Sequence, residues 1–148
     1  MRDGNYDGLR LDNQLCFPLY AASREIIKQY HPYLEAIGLT YTQYIAMMVL
    51  WEETRISAKE LGKRLYLDSG TLTPVLKSLE SKGYLRRYRS AEDERVLTVE
   101  LTESGESLKE EAVSIPETIA GCVKLSGDEA LQLYRLLYKL LNTLDGQE

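Results

Sequence analysis

From Leu11 onward, Leu15, Cys16, Leu19, Tyr20, Ser23, Ile26, Ile27 and Tyr30 recur at three- and four-residue steps. That spacing predicts an amphipathic helix with one buried stripe over 11–37, after a glycine-containing polar stretch, 1–10, expected to be a flexible tail. Pro18 complicates its first turns, and the pattern breaks near His31-Pro32 before stopping at Gly38, a residue suited to the left-handed position beyond a helix. Thr40 and Gln43 have capping-box spacing and open a second helix through Trp51, and Ser57 and Glu60 open a short third helix to about Tyr66. After a turn at Leu67-Asp68-Ser69-Gly70, Leu72, Val75, Leu76 and Leu79 mark the core stripe of a fourth helix ending at Gly83.

The period then changes to two. Tyr84 to Arg89 and Arg95 to Leu101 alternate around the polar run Ser90-Ala91-Glu92-Asp93-Glu94, predicting a β-hairpin with Leu97, Val99 and Leu101 on one face. Thr102 caps a fifth helix that Pro116 should kink or end. Ser126 and Glu129 cap a sixth, with Leu133, Leu136, Leu137, Leu140, Leu141 and Leu144 along one side. The order ααααββαα gives a mainly α chain with a β-hairpin wing (α+β), expected to be a single domain over 11–148 with a winged helix-turn-helix at 55–101.

The 148 residues leave room for one core, and no apolar run approaches the length of a membrane span. The opening residues Met1 to Arg10 lack an apolar stretch, so no secretory signal and no membrane association are expected, and the expected location is the cytoplasm. Two cysteines 106 positions apart and one histidine exclude a structural zinc site, and no metal or cofactor is expected. The net charge of −5 argues against nucleic acid until its distribution is considered. Residues 59–95 carry nine basic and six acidic side chains, whereas the rest carries nine basic and 17 acidic. One surface therefore suits phosphate while the others repel it.

A short helix, a tight turn, a second helix and a hairpin is the order in which the second helix enters a major groove and the hairpin reaches the backbone or minor groove. Around the fourth helix, Gly70, Pro74, Lys77 and Ser81 lie opposite the core stripe, with Thr73 and Ser78 at the shoulders. A small, hydroxyl-bearing face without carboxylates suits close approach to a duplex. Pro74 must either lie in the first turn or bend the helix. Arg86, Arg87, Arg89 and Arg95 gather around the hairpin tip, where Asp93 can brace Arg95 for a narrow minor groove. The expected DNA-binding set is Ser69, Gly70, Thr71, Thr73, Pro74 and Lys77 with Arg86, Asp93 and Arg95.

Only a thiolate reacts usefully with a peroxide, and free N–H groups at a helix N-terminus favour that anion. Cys16 fits such a position whether Asn13 or a residue just before Pro18 caps the helix. Neutral hydroxyl donors would add to the effect, and the chain has eleven tyrosines against one phenylalanine. Away from such a setting a lone cysteine is more often an inert small core residue.

The start Leu11-Asp12-Asn13-Gln14-Leu15-Cys16-Phe17, the segment Leu65-Tyr66-Leu67-Asp68-Ser69-Gly70-Thr71-Leu72-Thr73-Pro74, and the wing Asp93-Glu94-Arg95 with Leu101-Thr102 resemble the MarR family. Within it they look like the organic hydroperoxide resistance regulators, over about Leu11 to Leu144. The resemblance implies a homodimeric repressor, with dimerisation helices at 11–37 and 103–145, whose reduced form binds double-stranded DNA at a pseudopalindromic operator. It implies that Cys16 senses organic hydroperoxide, with Tyr30 and Tyr41 of the partner subunit beside it and Tyr20 nearby. In two-cysteine members a resolving thiol, here Cys122, bonds to the sensing cysteine of the other subunit. Pro18 departs from the pattern, where alanine or leucine is commoner, and is expected to remove a helix hydrogen bond close to Cys16. Two alternatives remain at this point: a thiol peroxidase working through Cys16, and a regulator released by a small phenolic ligand.

Overall fold

The computed structural model describes residues 5–145. The chain divides into two compact units, 1–116 and 117–148. Residues 1–4 of the expected tail lie outside the described residues, and Asp7–Leu9 and Leu11–Asn13 form two 3-10 turns. The side chains of Asn13 and Gln14 close this segment on the carbonyls of Asp7, Gly8 and Arg10.

The first unit holds α1 (Cys16–Ala36), α2 (Tyr41–Glu53), β1 (Arg55–Ser57), α3 (Ala58–Leu65), α4 (Ser69–Ser81), β2 (Leu85–Arg89), β3 (Leu97–Leu101) and α5 (Glu103–Ala112). Its sheet is antiparallel in the order β1-β3-β2. Leu34, Met47, Leu50, Leu61, Leu76, Leu79, Leu85 and Val99 are fully buried and form the core beneath it. Gly105 lets α5 approach the sheet, since a Cβ there would meet the Tyr84 carbonyl at 2.1 Å. The Trp51 indole N–H donates to the Gly105 carbonyl at 2.9 Å and fixes α2 to the same spot. Chain reversal after α4 uses Gly83 at φ 84°.

Local signals place the helix starts well. Thr40 and Gln43 form a reciprocal capping box, Ser57 accepts from the Glu60 N–H, Asp68 from Thr71 and Thr102 from Gly105. Four expectations need correction. The first helix begins at Cys16, because Leu11–Asn13 is taken up by a 3-10 turn. It runs unbroken through Pro32, whose missing hydrogen bond frees only the Lys28 carbonyl on an exposed stretch that solvent can serve. Its apolar stripe is not buried: Phe17, Leu19, Ile26 and Ile27 are all exposed, and Leu34 alone of α1 is buried. Finally β1, a third strand ahead of the hairpin, pairs Ile56 with Val99.

The fifth helix ends at Ala112, before Pro116, and α6 (Ile115–Ala120) spans the boundary between the units. Pro116 is its second residue, where a missing N–H costs nothing. In the second unit Ser126 and Glu129 cap each other's backbone at the start of α7 (Gly127–Asp145). No residue of α7 is buried: Leu133, Leu136, Leu140 and Leu144 are exposed, and Leu137 and Leu141 are half-exposed. Among the described residues no helix is long and apolar enough to cross a membrane.

Candidate functional site

The α3-turn-α4 pair presents α4 as anticipated. Ser69, Gly70, Thr71, Thr73, Pro74, Lys77 and Ser81 are exposed, while Leu72, Leu76 and Leu79 are buried on the opposite side. The helix starts at Ser69, so the Leu67–Gly70 turn is shorter than the sequence suggests and Asp68 is the cap. The Thr71 N–H donates to the Asp68 carboxylate at 2.7 Å, and this bond holds its carboxyl below the usual carboxylate range. Pro74 is the sixth residue of α4, past the first turn, so its missing N–H leaves the Gly70 carbonyl without that intrahelical donor while the helix continues from Ser69 to Ser81. The Thr73 hydroxyl donates to the Ser69 carbonyl at 2.7 Å, so toward a ligand its oxygen is left as an acceptor.

At the hairpin tip Asp93 braces Arg95 as anticipated. Its two carboxylate oxygens accept from Arg95 Nε at 3.0 Å and Nη2 at 3.1 Å, and one also accepts the Arg95 backbone N–H. The pair holds the Asp93 carboxyl below its ordinary range, and the Arg95 side chain is nevertheless 90% exposed. The other arginines divide. Arg86 stands opposite Glu100 in the β-ladder, donates to its carboxylate at 3.0 and 2.6 Å, and lies 5.3 Å from the centre of the Tyr88 ring. Arg55 shares the same carboxylate from β1. Arg87 does not belong to the tip: it is only 19% exposed and pairs with Glu80 of α4 at 3.0 Å, tying the wing to that helix. Glu80 and Glu100 escape a reading of the sequence because packing and ladder register join them to residues on other elements.

Cys16 is exposed and is the first residue of α1. Leu15 occupies the cap position without a side-chain bond, so neither Asn13 nor a residue beside Pro18 caps this helix. Pro18 is the third helical residue, among those whose N–H has no intrahelical acceptor, so the expected loss of a hydrogen bond does not occur. Tyr20 lies one turn on, and its hydroxyl accepts from Arg24 Nη1 at 3.3 Å.

Tyr30 and Tyr41 meet edge-on with ring centres 5.1 Å apart, and Tyr44, only 3% exposed, packs against both at 5.9 and 6.3 Å. Burial pushes all three phenols up, and the neighbouring phenols add to this for Tyr30 and Tyr44, so they stay neutral donors. Tyr30 is 14 residues beyond Cys16 in one continuous helix, about 21 Å along its axis at 1.5 Å per residue. The structure thus brings Tyr30 and Tyr41 together and keeps both away from the Cys16 of their own chain. Cys122 belongs to the second unit, is exposed in the turn after α6, and its thiol points at the Thr118 carbonyl, 3.6 Å away.

Comparison with known proteins gives this arrangement a context. The family described as transcriptional regulator SarA/Rot matches residues 28–112. The organic hydroperoxide resistance transcriptional regulator of Bacillus subtilis is 52% identical over 142 residues, 96% of this chain and 97% of its own. Reduced AbfR of Staphylococcus epidermidis bound to DNA superposes with a TM-score of 0.78 at 35% identity, covering 95% and 96% of the two chains. AbfR is also known overoxidised on DNA and with a disulfide formed. A cysteine-to-serine mutant of MarR from E. coli, complexed with operator DNA, superposes at 0.73 with 26% identity over 86% and 93%. The chain therefore belongs to the winged-helix transcriptional regulators of the MarR and SarA/Rot type, in the branch of the organic hydroperoxide resistance regulators.

Proposed function

We propose that this chain is a cytoplasmic, homodimeric transcription repressor that binds a pseudopalindromic DNA operator when reduced and releases it when organic hydroperoxide oxidises Cys16. The observation that carries the reading is the exposed thiol at the first position of α1, in a chain that also holds a braced wing arginine beside a carboxylate-free α4 face. Two copies related by a two-fold axis would each place α4 in a major groove, with Ser69, Gly70, Thr71, Thr73, Pro74 and Lys77 facing the duplex and Arg95 in the flanking minor groove. Arg86 serves the backbone through a guanidinium that Glu100 orients. The exposed apolar faces of α1 and α7 suit burial against the second copy.

The chemistry follows from the thiol. The Cys16 thiolate attacks the peroxide oxygen distal to the organic group, the O–O bond breaks, and an alcohol leaves after taking a proton; the cysteine becomes a sulfenic acid. Tyr30 and Tyr41 of the second copy, kept neutral by burial, are the donors that hold the anion, with Tyr20 one turn along the same helix. The Cys122 thiol of the other copy then displaces water from the sulfenic acid to form a disulfide. AbfR has been seen on DNA both reduced and overoxidised, which supports assigning release in this chain to the disulfide and not to the overoxidised thiol. The consumption of oxidant is stoichiometric, so the chain acts as a switch and not as an enzyme.

The test is a DNA-shift assay on the chain's own upstream region with and without cumene hydroperoxide, read beside a non-reducing gel. Wild type should bind, release on oxidation and migrate as a covalent dimer; Cys16→Ser should bind and never release; Cys122→Ser should lose the dimer band. Release from the Cys16→Ser protein would overturn the reading.

A further inference from the structure

We propose that Gln43, Ser78 and Lys82 form the link through which the tyrosine cluster positions the DNA-reading helix. Among the described residues Gln43 is the one buried polar side chain, 7% exposed, and all of its functional ends are engaged. Its Oε1 accepts from the Thr40 backbone N–H at 3.1 Å and from Lys82 Nζ at 3.0 Å, and its Nε2 lies 3.0 Å from the Ser78 hydroxyl oxygen as donor. Lys82 Nζ donates in addition to the Gly38 carbonyl. Three places are thereby joined: the turn between α1 and α2, the first turn of α2, and the last turn of α4.

A helix cap needs only the Thr40–Gln43 pair, and the contacts to Ser78 and Lys82 go beyond it. Gln43 lies in the same helical turn as Tyr41 and Tyr44, and those rings pack on Tyr30 of α1. Apolar side chains slide past one another at little cost, whereas a buried amide stripped of its partners costs the full desolvation of those atoms. A displacement of the tyrosine-bearing segment therefore drags the end of α4 or breaks bonds. Gln43 and Lys82 are positioning residues: they touch neither oxidant nor thiol.

The proposal rests on the reading that oxidation of Cys16 releases DNA, and its test separates the two. Lys82→Met removes the ammonium while keeping the chain length, and Ser78→Ala removes the other contact more gently. In the full-length dimer, DNA affinity is measured before and after cumene hydroperoxide, Cys16 sulfenic acid formation is timed by dimedone trapping, and folding is checked by thermal melting. The readout is the ratio of reduced to oxidised affinity, because losing a cation weakens DNA binding in both states alike. Both variants should oxidise at the wild-type rate and show a ratio smaller by about fivefold or more, the oxidised protein staying on DNA. Should Lys82→Met fail to fold, Ser78→Ala decides alone. A wild-type ratio in a folded variant, or a smaller ratio matched by slower oxidation of Cys16, would overturn the link. A wild type that keeps its DNA after oxidation would instead overturn the proposed function.

Discussion

Arg95 shows how two residues can prepare a contact that neither makes alone. A free arginine side chain loses considerable rotamer entropy on docking, but the two Asp93 oxygens already hold this guanidinium. Its exposure and its brace together set it apart from Arg87, whose charge is spent on Glu80. Arg95→Ala should weaken operator binding by about 1–3 kcal/mol at fixed salt, measured by fluorescence anisotropy, with no change in melting temperature. Asp93 and Arg95 were legible in the sequence because a two-residue spacing at a turn nearly dictates their meeting. Gln43 with Lys82 was not, since nothing short of the packed structure relates residues 39 positions apart.

At the scale of elements, local chemistry set most helix starts and long-range pairing set what was missed. Capping depends on three or four consecutive residues, so Thr40, Ser57, Thr102 and Ser126 could be read directly. Strand β1 has three residues and exists only by its register against β3, which no local pattern announces. Pro32 misled because the cost of proline depends on whether the freed carbonyl is buried, and exposure is a tertiary property. Helix α4 adds a pH dependence through its cap. The folded pKa of Asp68 lies below its ordinary value, so its stabilising contribution is present above the usual carboxylate range and is lost as pH falls through the folded value. Glu80, lowered first by its bond from Arg87, acts in the same direction on the wing. Asp68→Asn keeps an oxygen for the Thr71 N–H but does not titrate there. Urea unfolding followed between about pH 6 and 3 should show a shallower acid limb for this variant than for wild type.

For the whole molecule, the apolar faces of α1 and α7 were recognised in sequence as stripes, and both stand largely exposed on the single chain. Hydrophobic periodicity reports that a face needs covering and is silent about which chain covers it. Folding and pairing are then linked by mass action. The continuous helix between Cys16 and Tyr30 also has a consequence for mixed dimers. On the proposed reading each sensing centre draws its thiol from one chain and its phenols from the other. A Cys16→Ser chain and a Tyr30→Phe chain, each impaired alone, should complement one another when produced together. The mixed pair contains one centre with both defects and one with none. Mixed dimers purified away from both homodimers should release operator DNA on cumene hydroperoxide treatment faster than Tyr30→Phe homodimers, whereas a centre built within single chains would leave them no faster.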